Sequence, residues 1–109
     1  MNETTTATIS VPLTNSIGLH ARPSVKLTRL AKTFAADIEV APAEHGPWVD
    51  AKSIVKVMAV KATKGAVLHF RAKGRDASDA LAALRELVVL GFNEEKAEGD
   101  VDGSGQAGG

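Results

Sequence analysis

The hydrophobic and polar positions of the chain follow two periods, which together predict four strands and three helices. Alternating apolar residues predict strands at 9–13, 38–40 and 66–72, and a Pro/Gly-rich turn at 42–47 leads into a short strand at 48–49, as in a hairpin. Apolar residues spaced three and four apart predict helices at 21–34, 53–60 and 77–90. The predicted order of elements is β-α-β-β-α-β-α.

Residues at the helix ends support these boundaries. Proline is tolerated only in the first turn of a helix, so Pro23 predicts that the first helix begins at residue 21. Ser53 is a suitable N-cap for the second helix. Asp76, with Asp79 three residues later, is predicted to cap the third helix, and Gly91 offers a C-terminal cap.

One-sided strands and helices predict an α+β domain of two layers, with three helices covering one face of a four-stranded, mainly antiparallel sheet. The domain is predicted to span residues 8–92, after a flexible N-terminus at 1–7. Residues 93–109 contain five of the ten glycines and almost no apolar side chain, which predicts a disordered acidic tail.

Charge and composition narrow the classes of function. Five acids and one lysine give residues 93–109 a net charge of −4, so residues 1–92 carry +4 in this neutral chain. The absence of cysteine excludes disulfides and Cys-based metal sites, and the three histidines lack ligand spacing, so no metal is expected. No apolar run approaches the roughly 20 residues of a membrane span, which predicts a cytoplasmic protein without membrane insertion.

The strongest candidate site lies at the start of the first helix, in the segment Gly18-Leu19-His20-Ala21-Arg22-Pro23. His20 falls at the N-cap, where Ser, Thr, Asp or Asn would be better by roughly 1 kcal/mol. The backbone N–H groups of Ala21 and Arg22 there favour an anion, and the Arg22 guanidinium can hold phosphate oxygens bidentately. Neutral imidazole is nucleophilic at pH 7. These residues predict that His20 accepts a phosphoryl group without a cofactor.

Arg22 begins a row of basic residues on the same helix, followed by Lys26, Arg29 and Lys32. Such a row is most often a solvated face, and the alternative is a docking surface for acidic partners. Lys26 and Arg29 are the docking candidates because they adjoin Arg22. Nucleic acid is disfavoured as a partner because the three phenylalanines and one tryptophan form no stacking motif.

The segment around His20 resembles the site of the histidine-containing phosphocarrier proteins (HPr) of the bacterial phosphoenolpyruvate-dependent phosphotransferase system. A second stretch, Asp50-Ala51-Lys52-Ser53-Ile54, resembles the regulatory serine region of that family, and the element order over 8–92 agrees with its open-faced β-sandwich. The resemblance implies that Nδ1 of His20 takes a phosphoryl group from enzyme I and passes it to an enzyme IIA-type protein. Arg22 would position the phosphate, and Ser53 would be the target of an HPr kinase/phosphorylase. A monomeric carrier, rather than a free-standing turnover enzyme, is expected.

Three features depart from the family pattern: the turn at 42–48 is longer, Ser24 stands where alanine is common, and 93–109 extend the chain. One alternative function remains open, a regulatory role in a nitrogen-type phosphotransferase system. In such a system the phosphorylation state is itself the output. An adaptor acting through Ser53 alone is disfavoured, because His20 and Arg22 are both intact.

Overall fold

The strands and helices follow the predicted order. The structure, a computed structural model, describes residues 6–13, 21–63 and 65–93. Its strands are β1 (Thr6–Pro12), β2 (Asp37–Ala41), β3 (Val49–Asp50) and β4 (Val67–Lys73). Its helices are α1 (Ala21–Lys32), α2 (Ile54–Met58) and α3 (Ala77–Val89), and a 3₁₀ turn (Gly91–Asn93) follows α3.

The four strands form one sheet in the order β1-β4-β2-β3, and each neighbouring pair is antiparallel. This arrangement confirms the predicted α+β fold with an open-faced sheet. β1 begins earlier than predicted, because Thr6 and Ala7 pair with Lys73 and Ala72 instead of belonging to a flexible N-terminus. At the other end, Asn93 lies in the 3₁₀ turn, and the rest of the predicted tail lies outside the described residues.

Alternation along β4 separates a buried face from an open one. Leu68, Phe70 and Ala72 are almost fully buried and belong to the core. The helices contribute their apolar stripes to the same core, with Leu27 from α1 and Leu84 from α3 both fully buried. Each such side chain stabilises the fold by roughly 1.5–3 kcal/mol relative to exposure.

Asp76 occupies the predicted N-cap position of α3, but its carboxylate makes no capping bond there. Its oxygens instead accept the backbone N–H groups of Ala35, at 2.9 Å, and Ala36, at 2.8 Å, in the turn between α1 and β2. The bond from Ala35 contributes most to holding the pKa of this carboxyl below its ordinary value. The predicted cap is therefore right in position and wrong in its side-chain bond, because the Asp76 carboxylate binds the turn between α1 and β2 instead.

The turn at 42–48 leads to a contact on the open face of the sheet. The guanidinium of Arg71 lies 4.3 Å from the centre of the Trp48 ring, and its Nε donates to the Glu39 carboxylate. On the same face, Nδ1 of His69 lies 2.8 Å from the Ser10 hydroxyl, and only 8% of His69 is exposed. This packing leaves His69 little access to a reaction partner.

Candidate functional site

The predicted phosphoryl acceptor, His20, lies outside the described residues, within 14–20. The helix that follows it is described and begins at Ala21, as Pro23 predicts. Ala21 and Arg22 are exposed, whereas Pro23 is buried. The start of α1 therefore presents its first residues to solvent.

Backbone and charge make this helix start favourable for an anion. The backbone N–H groups of Ala21 and Arg22 lie in the first turn of α1, where no carbonyl within the helix can accept from them, and Pro23 has no N–H. The first turn contains no acidic side chain that would repel an anion. Arg22 adds a full positive charge one residue from the helix start.

Ser24, one of the departures from the family pattern, has a fully buried side chain. Its Oγ has no hydrogen-bond partner among the residues that the structure describes, while its carbonyl accepts from the Thr28 hydroxyl at 2.7 Å. A buried hydroxyl without a partner costs roughly 1–3 kcal/mol. Alanine would avoid this cost.

The basic row of α1, which consists of Arg22, Lys26, Arg29 and Lys32, is not uniform. Arg22, Arg29 and Lys32 are exposed. Lys26 is half-buried, and its Nζ donates to the backbone carbonyl of Phe92 at 2.7 Å. The predicted docking residue Lys26 therefore also holds the turn after α3 against α1.

Phe92 is a structural residue near the site that the sequence did not predict. Its side chain is fully buried, and its φ of +57° lies in the left-handed region that non-glycine residues seldom occupy. Gly91, at φ +66°, ends α3 as predicted. An apolar residue directly after a C-terminal glycine is the sequence signal that could have indicated this anchor.

Ser53 lies at the predicted N-cap of α2, and its Oγ accepts the N–H of Lys56 at 3.4 Å. The segment before it is held firmly: the Asp50 side chain accepts the N–H of Lys52 at 2.9 Å, and the Lys52 ammonium donates to the carbonyl of Phe34 at 2.8 Å. Ser53 is half-buried, and the residue before it is tied to the turn that follows α1.

Apolar side chains are exposed beside Ser53, which sequence reasoning did not identify. Val55 is 75% exposed and Met58 is 41% exposed. Val25, on α1, is also exposed, and α1 packs against α2. Val25, Val55 and Met58 are therefore exposed apolar side chains on two helices that pack against each other.

Other features of the described part of the chain point to no second chemistry. A groove of about 610 Å³ on the sheet is lined by side chains of both charges, including Asp37, Glu39, Arg71 and Lys73. Residues 6–13, 21–63 and 65–93 contain no cluster of His, Cys, Asp and Glu suited to a metal ion. Within those residues, no helix is long and apolar enough to cross a membrane.

Comparison with known proteins identifies close similarity over most of the chain. A family model described as the PTS HPr component phosphorylation site matches residues 7–89. The phosphocarrier protein HPr of Cupriavidus necator is 40% identical over 80 residues, which cover 73% of this chain and 88% of that protein. The phosphocarrier protein NPr of Escherichia coli is 33% identical over 86 residues, covering 79% and 94%. Among solved structures, HPr-C-His from Thermoanaerobacter tengcongensis matches with a TM-score of 0.74 and 32% identity, over 81% of this chain and 97% of that one.

Proposed function

Since this chain belongs to the HPr family of phosphotransferase-system phosphocarriers, we propose that His20 takes a phosphoryl group from enzyme I and passes it to an enzyme IIA-type protein. The observation that carries the proposal is the start of α1 at Ala21, directly after His20, with exposed first residues and no acid in its first turn. We propose that the chain acts as a monomer in the cytoplasm.

In the proposed step, the lone pair of His20 Nδ1 attacks the phosphorus of a phosphohistidine on enzyme I. A P–N bond forms at Nδ1, and the donor P–N bond breaks with its electron pair returning to the donor imidazole. His20 releases its ring proton and the donor ring takes one up, so the transfer involves no net change in protons. The N–H groups at the start of α1 and the Arg22 guanidinium stabilise the charge on the phosphoryl oxygens.

The direct test is incubation of the chain with enzyme I and phosphoenolpyruvate, followed by mass spectrometry of the intact protein and of its peptides. We expect the mass of one phosphoryl group, located on His20 and lost in acid. A modification that is stable in acid, or that maps to another residue, would contradict the proposal.

Arg22→Ala is expected to slow phosphoryl transfer roughly tenfold to a hundredfold, because the backbone donors remain while the charge-assisted bonds are lost. Arg22→Lys should recover only part of the rate, since an ammonium cannot form the bidentate contact. The measurement is the rate of enzyme I-dependent phosphorylation. Arg85→Ala is the matched control, because it removes the same charge from an exposed position on α3. Equal rates for the Arg22 and Arg85 variants would reject a role for Arg22 in the transition state.

We also propose Ser53 as the regulatory phosphorylation site, used where the cell contains an HPr kinase/phosphorylase. Its N-cap position on α2 supports this, because a phosphate at a helix start is tolerated locally. Acidic partners that dock on the basic row of α1 would meet additional negative charge nearby. Inhibition would then arise from surface electrostatics and not from unfolding.

Ser53→Asp is expected to slow phosphorylation of His20 roughly threefold to tenfold at low salt, with the loss shrinking as ionic strength rises. Asparagine caps helices about as well as aspartate, so Ser53→Asn provides an uncharged control. Rates are measured at two ionic strengths alongside thermal melting. The electrostatic explanation fails if both variants are equally slow, or if Ser53→Asp loses activity only by melting.

Relatives include both HPr and NPr proteins, so a regulatory nitrogen-type role is the second candidate. The two roles differ in the acceptor of the phosphoryl group. Chain phosphorylated on His20 should therefore be offered to a sugar-type and a nitrogen-type IIA protein from the same cell. Faster transfer to one of them assigns the role.

A further inference from the structure

Phe92, two residues before the acidic segment 94–102, lies beside the basic row of α1. Lys26 Nζ donates to the Phe92 carbonyl at 2.7 Å, and the Phe92 side chain is fully buried. The hydrogen bond and the buried side chain together hold the backbone at Phe92 beside the middle of α1. Arg22 and Arg29 lie about one helical turn to either side of Lys26, and both are exposed.

The charges of the two segments are complementary. α1 contains four basic residues and no acidic one. The tail segment 94–102 contains five acidic residues and one lysine. Glu94 and Glu95 follow Phe92 by two and three residues, so an extended chain carries them roughly 7–10 Å, about the spacing of one to two helical turns. The later acids have a longer reach and can also meet the basic row.

We propose that the acidic segment 94–102 binds the basic row of α1 within the same molecule and competes there with acidic partner proteins. The competition rests on the proposed function, in which enzyme I docks on this row. A short tether raises the local concentration of the segment to the millimolar range. Exposed ion pairs are individually weak and are screened by salt, so occupancy is partial and falls with ionic strength. The tail therefore tunes docking without blocking it.

A spin label tests the intramolecular contact directly. The chain has no cysteine, so Ser104→Cys creates a single attachment site just beyond the last acid. We expect the label to broaden the amide signals of residues 22 and 24–29 more than the signal of Thr8, on the open face of the sheet, at low salt. The effect should fade at about 0.5 M salt.

The matched control carries the same label with the five tail acids replaced by amides: Glu94→Gln, Glu95→Gln, Glu98→Gln, Asp100→Asn and Asp102→Asn. It keeps the length and the tether of the tail and removes the negative charge. Loss of the broadening at residues 22 and 24–29 in this variant supports the proposal. Equal broadening with and without the acids, or broadening centred on the sheet, would overturn it.

The competition is measured as kcat/KM for phosphorylation by enzyme I. The neutral-tail variant without the label should be roughly twofold to fivefold faster than the full chain at low salt, and the two rates should converge at high salt. Equal or slower transfer at low salt would overturn the competition. The label experiment needs no phosphoryl transfer, so it tests the intramolecular contact by itself. If enzyme I fails to phosphorylate the chain, the proposed function is rejected, and the label experiment still decides whether the tail binds α1.

Discussion

Replacing His20 with alanine is expected to abolish phosphorylation by enzyme I while leaving the domain folded. The imidazole is the proposed nucleophile, and the methyl side chain of alanine has no nitrogen that could form the P–N bond. α1 should persist, because its stability comes from buried residues such as Leu27 and Ala31 and not from a histidine at its start. The measurement is the rate of phosphoryl incorporation, with circular dichroism to confirm helical content.

The other two histidines provide controls for this variant. His45 is exposed in the turn at 42–48, so the rate for His45→Gln shows whether this accessible imidazole contributes to the measured phosphorylation. His69 is buried beside Ser10, so His69→Gln is the control for an imidazole that enzyme I is not expected to reach. Both controls should be phosphorylated at the rate of the unmodified chain. Phosphorylation of His20→Ala at a comparable rate would refute the assignment of His20.

Phe92→Ala is expected to lower the free energy of unfolding by about 3–5 kcal/mol, as for other buried aromatic residues. The side chain is fully buried in the core at the end of α3, and its removal would leave a cavity beneath the contact between Lys26 and the Phe92 carbonyl. Domains of this kind are stable by only about 5–15 kcal/mol in total. The variant should therefore show a large shift in the midpoint of chemical denaturation.

Val89→Ala is the matched control for Phe92→Ala. Val89 lies three residues earlier, in the last turn of α3, and is 52% exposed, so shortening it should cost well under 1 kcal/mol. A loss of less than about 1 kcal/mol in Phe92→Ala would mean that Phe92 does not anchor the turn in solution.

The order of elements and the fold class were predictable because they depend on short-range patterns. Apolar residues alternating along β4 mark its buried face, and residues such as Leu81, Leu84 and Val88 mark that of α3. Pro23 placed the start of α1 at residue 21, since its missing N–H is tolerated only in the first turn. Ser53 was identified as an N-cap for an equally local reason, because its hydroxyl reaches the N–H three residues on.

Contacts between residues distant in sequence were not predictable in this way. Asp76 has the sequence context of a helix cap, yet it accepts from residues 40 and 41 positions earlier. Lys26 has the spacing of a solvated basic row, yet it donates to a carbonyl 66 positions later. Short-range patterns report which face of an element is apolar, whereas the partner of a polar group depends on which elements the fold packs together. The short-range patterns therefore placed the start of α1 at the candidate site, and packing determined that Phe92, just before the acidic segment, is held against that helix.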